Sequence, residues 1–385
     1  MIEVNDELMY VLLGITGVLF LIQIIYLTGV YNIVARNRKK SCEVSEDNLP
    51  PLSVIIVAKD SLEDLKNNLP LILEQDYPSF EVIVIYEQEE DIYEDELKLL
   101  QEKYKNLYHT FIPDSARYIS HKKLGITMGI KASKNDILVF TEPNAYPTSN
   151  QWLKTISSHF TEETDIVLGY SNYEKIKGWF NRKIVFDKLI NNMRGLGMAI
   201  NGYPFTGSGY NLAYRKKLYY DNGGFSRHLN LERGEDDLFI NQQAKQDNTK
   251  VMTSAEGTVR ITHPVNKYMW REEKLSNIIT KRYYKGINKY IVGFESFTRL
   301  LFLFFTIVVG IISIILKSWI YLGIAVILWI IRYIVQIVIF KKTCDNFNER
   351  HYYLSLMIFD IIQPIINLNF YIRKKLSNKK DFLKK

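Results

Sequence analysis

The chain carries long uncharged segments near its two ends and a mixed region between them. Leu8 to Ala35 has no charged residue, which exceeds the roughly 20 residues needed to cross the hydrocarbon of a bilayer. Leu300 to Leu316 is a second uncharged run, and Ile320 to Phe340, which contains Arg332, is a third apolar run. This pattern predicts one transmembrane helix before the mixed region and a transmembrane helical hairpin, residues 291–342, after it.

Charged residues beside the first run predict its orientation. Acidic residues precede the run and basic residues follow it: Glu3, Asp6 and Glu7 before, and Arg36, Arg38, Lys39 and Lys40 after. Because basic flanks stay in the cytoplasm, residues 1–40 are expected to form a transmembrane helix with a cytoplasmic basic flank. The region from residue 41 onward is then cytoplasmic.

The last part of the chain, residues 343–385, allows two interpretations. Tyr352 to Tyr371 is apolar but contains Pro364 and the polar residues Asp360, Gln363 and Asn367. If it crossed the membrane, the basic tail after it would lie outside, against the charge rule. An interfacial or re-entrant helix with a cytoplasmic tail is therefore favoured, and a membrane-embedded span is the alternative.

Between the membrane segments, the apolar pattern is that of an α/β domain. After a polar linker, residues 41–50, mainly apolar runs occur at Leu52 to Ala58, Phe80 to Tyr86 and Ile137 to Phe140. Such runs are typical of strands buried on both faces. Helical segments separate them, so the alternation predicts a mainly parallel sheet with right-handed crossovers.

Polar clusters follow each of the three strands. They are Lys59-Asp60, Glu87-Gln88-Glu89 and Glu142-Pro143-Asn144. In open parallel sheets, ligands bind beyond the carboxyl ends of the strands, so these clusters are candidates for a binding site.

Composition excludes several classes of protein. The 49 Lys and Arg against 42 Asp and Glu give a net charge of +7, but the basic residues lie mostly beside apolar segments. That distribution favours a membrane surface and argues against nucleic acid as a partner. Only two cysteines occur, Cys42 and Cys344, which excludes a disulfide framework.

Several stretches, taken in order, resemble glycosyltransferase family 2 of the GT-A fold. They are Ser53 to Leu65, Glu74 to Pro78 followed by Glu81 to Val84, His121 to Ala132, Tyr146 to Leu153, Gly207 to Arg215, Gly223 to Phe225 and Gly234 to Leu238. The resemblance covers residues 51–290, and the flanking apolar segments resemble bacterial membrane-bound members. It implies a GT-A domain of the α/β class, with a nucleotide-sugar donor and a lipid-linked or cell-envelope glycan acceptor at the inner membrane.

The resemblance places the catalytic base in Glu235-Asp236-Asp237. Inverting transfer needs a carboxylate that takes the proton of the acceptor hydroxyl, and Asp236 is the first candidate, with Asp237 next. A helix start keeps a carboxylate ionised. The plain alternative is a helix cap with solvated acids.

The family's metal turn has two aspartates one residue apart, and here Glu142 and Asn144 stand at those positions. Mg²⁺ or Mn²⁺ accepts carboxylate and amide oxygens, but one carboxylate fewer predicts weak or absent binding. His263 lies where related enzymes place a third ligand, with packing as the alternative.

Further donor contacts are implied by the resemblance. Asp60 and Glu87 follow the first two strands, Lys122 and Lys123 begin a basic helix, and Arg282 matches the family's Gln-x-x-Arg-Trp element, whose Trp is Tyr283 here. The diphosphate or the acceptor are the expected ligands of Arg282. The alternative for Lys274 to Tyr290 is an amphipathic helix at the membrane surface.

Two functions therefore compete. The first is an inverting membrane glycosyltransferase. The second is a glycosyltransferase-like protein that no longer catalyses and acts as a binding or assembly partner in a membrane complex, which the altered Glu142, Asn144, Glu87 and Asp60 favour. A membrane-anchored nucleic-acid binder has only the positive charge in its support.

Overall fold

The computed structural model describes residues 6–37, 49–59, 61–87, 91–113, 120–262, 267–286 and 288–376. The chain forms two compact units. We call the first the membrane unit, with described residues 6–36, 286 and 288–376, and the second the sheet unit, with described residues between 37 and 285.

The sheet unit contains these strands: β1 (Leu52–Ala58), β2 (Phe80–Glu87), β3 (Leu107–Ile112), β4 (Ile137–Thr141), β5 (Ala145–Pro147), β6 (Ile166–Leu168), β7 (Ser171–Tyr173), β8 (Leu212–Arg215), β9 (Thr249–Val251) and β10 (Val259–Ile261). Seven of them form one sheet in the order β3-β2-β1-β4-β8-β6-β9, and β5, β10 and β7 form a second.

The strand directions confirm the mainly parallel sheet predicted from the sequence. Strand β1 pairs in parallel with both β2 and β4, and β2 pairs in parallel with β3. Strand β8 is antiparallel to β4 and to β6. Because β2, β1 and β4 are parallel neighbours, their carboxyl ends meet at one edge, where Lys59, Glu87 and Glu142 follow or end the strands.

The helices of the sheet unit are α3 (Leu62–Leu73), α4 (Asp91–Lys103), α5 (His121–Ala132), α6 (Trp152–Ser157), α7 (Trp179–Ile200), α8 (Lys216–Asp221), α9 (Asp237–Gln243) and α10 (Lys267–Thr280). Every residue of β1 except Val57 is buried, which explains why six of its seven residues are apolar.

Two glycines let α5 lie close against the sheet. A Cβ on Gly129 would lie 2.6 Å from Cγ2 of Ile55, and a Cβ on Gly125 would lie 2.8 Å from Cγ1 of Val57. Gly125 and Gly129 are four residues apart, so they share one helix face, and Lys122 lies one turn before them on that face. The packing of α5 on β1 therefore directs Lys122 towards the carboxyl edge of the sheet.

The membrane unit is helical throughout most of its described residues. Its helices are α1 (Asp6–Ile25), a π-helical segment (Tyr26–Tyr31), α2 (Asn32–Arg36), α11 (Asn288–Ile315), α12 (Trp319–Asn346) and α13 (Tyr353–Leu376). Among the residues that the structure describes, four segments are long and apolar enough to cross a membrane, judged by length and composition: Glu7–Arg36, Gly293–Ile315, Trp319–Asn346 and Tyr353–Lys375. The last contains the segment 352–371 except for Tyr352, and an interfacial or re-entrant helix there stays a prediction.

Charged side chains pair with one another inside the membrane unit. The Asp360 carboxylate accepts hydrogen bonds from Arg332 Nη1 at 2.7 Å and from Arg299 Nη1 at 3.1 Å. Arg299 Nε lies 3.3 Å from Glu295 Oε1, and Gln336 Nε2 donates to Asp360 at 2.8 Å. These side chains are all buried. We call this group the membrane cluster: Glu295, Arg299, Arg332, Gln336 and Asp360.

Candidate active site at the carboxyl edge of the sheet

A cavity opens at the carboxyl edge of the main sheet. Its lining divides into an apolar part, Ile55, Val57, Ile126, Phe140, Leu212 and Tyr214, and a polar part, Lys122, Thr141, Glu142, Gly209, Glu235 and Asp236. The strands β1, β4 and β8 supply most of the apolar part. The polar part comes from the start of α5, the turn after β4, the loop before β8 and the residues that lead into α9. Four of the residues predicted from the sequence, Lys122, Glu142, Glu235 and Asp236, therefore line one cavity.

Lys122 links two carboxylates at this cavity. Its Nζ donates to Glu142 Oε1 at 2.5 Å and lies 3.0 Å from Glu235 Oε1. The Lys122 side chain is 36% exposed, so the ammonium still reaches the open space of the cavity. Burial opposes the charged form, but the carboxylates of Glu142, Glu235 and Asp236 outweigh it and raise the pKa of Lys122 above its ordinary value. The lysine is a permanent cation at neutral pH.

Glu142 lies in a tight turn after β4. The Ala145 N–H donates to the Glu142 carbonyl oxygen at 3.0 Å, and Asn68 Nδ2 donates to the Pro143 carbonyl oxygen at 3.0 Å. These bonds fix the turn and aim the Glu142 carboxylate at Lys122. Burial raises the pKa of Glu142 above its ordinary value, although the Lys122 ammonium opposes that shift.

The predicted metal ligands do not fit a divalent cation as they are arranged. The only carboxylate of the turn, Glu142, is paired with the ammonium of Lys122, which holds the position between Glu142 and Glu235. Asn144 is half-buried, and its backbone oxygen accepts from the Thr262 N–H at 2.8 Å. His263 lies outside the described residues. Within the ranges that the structure describes, no group of three His, Cys, Asp or Glu side chains is placed to hold a metal ion.

Asp236 faces the cavity from the start of α9. Its Oδ2 accepts from the Gly209 N–H at 2.8 Å, and its Oδ1 accepts from the Asp237 N–H at 2.6 Å. A Cβ on Gly209 would lie 3.2 Å from Glu142 Oε1 and 3.4 Å from Asp236 Oδ2, so the glycine lets both carboxylates approach the loop. Burial, together with the neighbouring Glu235, raises the pKa of Asp236. A fixed carboxylate with a raised pKa suits a general base.

Asp237 points to the other side of the helix start. Its Oδ2 accepts from Thr280 Oγ1 at 2.5 Å and from Tyr284 Oη at 2.9 Å, and the residue is buried. Burial, with a contribution from Asp236, raises the pKa of Asp237 to about 7. Asp237 does not line the cavity, so its bonds serve to anchor α9 to the end of α10.

Lys123 turns away from the cavity that Lys122 faces. Its buried ammonium donates to the carbonyl oxygens of His228 at 2.7 Å and Leu231 at 2.8 Å. Burial lowers the pKa of Lys123 to about 8. The lysine predicted to contact a diphosphate therefore holds the segment before Glu235.

Two further predicted donor residues, Glu87 and Arg282, are not among the residues that line the cavity. Glu87 accepts from Lys59 Nζ at 2.9 Å, and its Oε1 lies 3.0 Å from Nδ1 of His121. Arg282 is exposed in the 3₁₀ turn Lys281–Tyr283. Asp60 lies outside the described residues.

Three residues of the site were not predicted for their roles: Gly209, Thr280 and Tyr284. Gly209 belongs to the loop that the sequence assigned to the acceptor side. A glycine in that loop was the available signal that other groups approach its backbone closely. Tyr283, the predicted aromatic partner, is exposed, whereas the next residue, Tyr284, is buried and bonded to Asp237.

Comparison with known families gives one match that spans most of the chain. The profile described as glycosyl transferase family 21 matches residues 16–382. The motifs above predicted a glycosyltransferase, which this match confirms, but they resembled family 2, whereas the matched family is 21.

Solved structures resemble the chain at low sequence identity. The mannosyltransferase PcManGT from Pyrobaculum calidifontis, in complex with GDP-Man and Mn²⁺, has a TM-score of 0.57 and 14% identity, over 96% of this chain and 100% of that chain. S. aureus TarS 1-349 in complex with UDP-GlcNAc has a TM-score of 0.41 and 15% identity, over 86% and 93% of the two chains. The first likeness shows a shared fold, and the second supports no further conclusion.

Proposed function

Because the family profile covers residues 16–382, the chain belongs to glycosyltransferase family 21, and we propose that it is an inverting enzyme. The donor is a nucleotide sugar, and the acceptor is a hydroxyl group of a lipid-linked or cell-envelope glycan. The observation that carries this proposal is the carboxylate of Asp236, which faces the cavity while two backbone N–H groups fix both of its oxygens.

The reaction is a single displacement at the anomeric carbon. Asp236 takes the proton of the acceptor hydroxyl while that oxygen forms a bond to the anomeric carbon. The bond from the anomeric carbon to the diphosphate oxygen breaks, and the nucleoside diphosphate leaves with the electron pair. Attack opposite to the leaving group inverts the configuration. Each carboxylate oxygen of Asp236 accepts one backbone bond and keeps a further lone pair for the proton.

Among the residues that line the cavity, Lys122 is the cation. Lys122 lies in the first turn of α5, where helix N–H groups also favour an anion. We propose Glu87, at the end of β2, as an acceptor of hydrogen bonds from the base or the ribose, and Arg282 as a contact of the diphosphate or the acceptor, although neither lines the cavity. PcManGT is described in complex with GDP-Man, so GDP-mannose is the first donor to test.

We place the sheet unit on the cytoplasmic side of a bacterial inner membrane. The support is the basic flank that follows the first apolar segment, Arg36 to Lys40. A single cysteine introduced at Lys385 tests the carboxyl-terminal end of this layout in a variant with Cys42 and Cys344 replaced by serine. Labelling only after the membrane is permeabilised supports an interfacial or re-entrant segment at 352–371. Labelling in intact cells shows a full span.

The proposed reaction is tested by sugar transfer in membranes that contain the full chain. Labelled nucleotide sugars, GDP-mannose and a series of UDP-sugars, are added, and labelled lipid and released nucleoside diphosphate are measured. We expect transfer with one donor, a product of inverted anomeric configuration by NMR, and loss of transfer in Asp236→Asn. A retained configuration, or full activity of Asp236→Asn, would contradict the mechanism.

The second candidate function is a glycosyltransferase-like partner without catalysis. One observation favours it: the metal turn has a single carboxylate, Glu142, which is already paired with Lys122. Failure of every donor in the transfer assay, together with absence of nucleoside diphosphate binding, would favour this candidate over the enzyme.

A further inference from the structure

The cation at the candidate donor site is part of the chain. Lys122 Nζ lies within 2.5 Å of Glu142 Oε1 and within 3.0 Å of Glu235 Oε1, which is the space that a metal shared by those carboxylates would take. A divalent cation on Glu142 would sit against an ammonium, and two cations at such a distance repel each other. The arrangement therefore presents the charge of a lysine where the fold's relatives are expected to present a metal.

The ammonium has one donor left for a ligand. Lysine carries three N–H donors, and Glu142 and Glu235 accept two of them. The side chain is 36% exposed and lines the cavity, so the third N–H can point into the open space. A phosphate oxygen that enters there meets a charge-assisted donor whose position is fixed beforehand.

The surrounding structure fixes the lysine without help from a ligand. The close contacts of Gly125 and Gly129 hold α5 against β1, and Ser120 Oγ accepts the Lys123 N–H at 3.2 Å as the helix cap. The buried ammonium of Lys123 ties the same helix start to the carbonyl oxygens of His228 and Leu231. The two consecutive lysines therefore have different roles: Lys123 anchors the helix start, and Lys122 faces the cavity.

We propose that Lys122 is the cation of the donor site, so that its ammonium binds the diphosphate of the nucleotide sugar without a divalent metal. This rests on the proposed function, because it assumes that the cavity receives a nucleotide sugar. Lys122 stays protonated throughout. It donates a hydrogen bond to a diphosphate oxygen and offsets the charge that develops there as the bond to the anomeric carbon breaks.

The test is calorimetric binding of nucleoside diphosphates to the full chain in detergent micelles. ADP, CDP, GDP, dTDP and UDP are titrated once in excess EDTA and once in excess Mn²⁺. We expect at least one of them to bind in EDTA, with a dissociation constant within about threefold of that in Mn²⁺. This limit is well below the tenfold change to which about 1.4 kcal/mol corresponds. Binding that appears only with Mn²⁺ would overturn the proposal and leave the proposed function standing.

Two substitutions and a control sharpen the result. Lys122→Met should weaken metal-free binding by about tenfold to a hundredfold, the effect of one charge-assisted hydrogen bond, and Lys122→Arg should restore part of it. Lys131→Met removes an exposed lysine from the same helix and should bind as the parent does. Undiminished binding by a folded Lys122→Met would overturn the proposal.

Glu142→Gln distinguishes a divalent metal from the Lys122 ammonium as the cation of the donor site, because it changes the possible metal ligand and keeps the lysine. If Glu142 is a metal ligand, the substitution abolishes Mn²⁺-dependent binding and the protein-induced loss of the free Mn²⁺ signal in electron paramagnetic resonance. If Lys122 is the cation, Glu142→Gln removes a negative charge near the diphosphate, and nucleotide binding in EDTA becomes at least as tight. Failure of all five nucleotides with and without Mn²⁺ would overturn the proposed function and this proposal together.

Discussion

Two clusters of buried charge, one in each unit, are built in opposite ways. In the membrane cluster, the guanidinium groups of Arg299 and Arg332 face the carboxylates of Asp360 and Glu295, so the charges balance and the side chains are fully buried. At the cavity of the sheet unit, one ammonium, Lys122, faces three carboxylates, those of Glu142, Glu235 and Asp236. That cluster is open to solvent at Lys122, which is 36% exposed.

The difference is consistent with a structural role for the membrane cluster and with the proposed binding role for the cavity. A balanced and closed set of charges holds helices together, and removal of one partner leaves an uncompensated charge. An unbalanced set that opens into a cavity keeps a hydrogen-bond donor and a carboxylate for a ligand. The donor is Lys122, and the carboxylate is Asp236.

The largest expected effect is on turnover. Asp236→Asn should lower the rate of sugar transfer by about 10²- to 10⁴-fold, the usual contribution of a general base, with little change in nucleotide binding. Asp237→Asn is the matched control, because Asp237 bonds to Thr280 and Tyr284 and does not line the cavity. If Asp237→Asn lowers the rate of sugar transfer more than Asp236→Asn does, both measured on folded protein, Asp237 and not Asp236 would be assigned as the general base.

Substitutions in the membrane cluster should lower the stability of the folded chain. Asp360→Ala leaves Arg299 and Arg332 without their shared carboxylate and should cost about 3–5 kcal/mol. The control is Asp345→Ala, because Asp345 is 53% exposed and pairs with His351 at the surface, where an ion pair contributes no more than about 1 kcal/mol. Unfolding in detergent micelles measures both. Equal stability of the two variants would show that the membrane cluster is not structural.

A smaller loss of stability is expected where α5 packs on the sheet. Gly129→Ala places a methyl group 2.6 Å from Cγ2 of Ile55 and should cost about 1–3 kcal/mol, as overpacking does. It should also weaken nucleotide binding, because Lys122 moves with the helix. Lys131→Ala, at an exposed position of α5, is the control for thermal unfolding and for binding. Unchanged nucleotide binding in Gly129→Ala would show that nucleotide binding does not depend on the position of α5.

A change in the pH dependence of stability is also expected. The pKa of Asp237 is about 7 in the folded chain, above the ordinary value, so the folded state holds this proton where the unfolded state has lost it. This contribution to stability is therefore full at low pH and is lost as pH rises from about 4 to about 7. Asp237→Asn should remove that slope in thermal unfolding measured across this range. An unaltered slope would show that Asp237 does not titrate there.

The sequence predicted the sheet better than it predicted the contacts of the site. Leu52–Ala58 has the predicted bounds because both faces of that strand are buried, which leaves an apolar run interrupted only by Ser53. The parallel order of β1, β2 and β4 follows from the intervening helices. The antiparallel strand β8 and the short strands β6 and β9 lie in segments without such a run, so the second half of the sheet was not predicted.

The site residues were named from the sequence more accurately than their roles. Lys122, Glu142 and Asp236 do meet at one cavity, but Glu142 pairs with a lysine, and a pairing of residues 20 positions apart cannot be read from spacing. Lys122 and Lys123 were treated alike, although neighbours on a helix point in directions about 100° apart. The glycines of α5 mark the face that meets the sheet, and that face carries Lys122.

The central claim, a nucleotide-sugar site whose cation is Lys122, is tested most directly by a cryo-electron microscopy structure of the full chain. The sample should contain Mn²⁺ and the nucleoside diphosphate that binds most tightly. The account predicts the diphosphate in the cavity, with a phosphate oxygen within hydrogen-bond distance of Lys122 Nζ and no metal density between it and Glu142. A manganese ion that bridges Glu142 and the diphosphate, with Lys122 displaced, would contradict it.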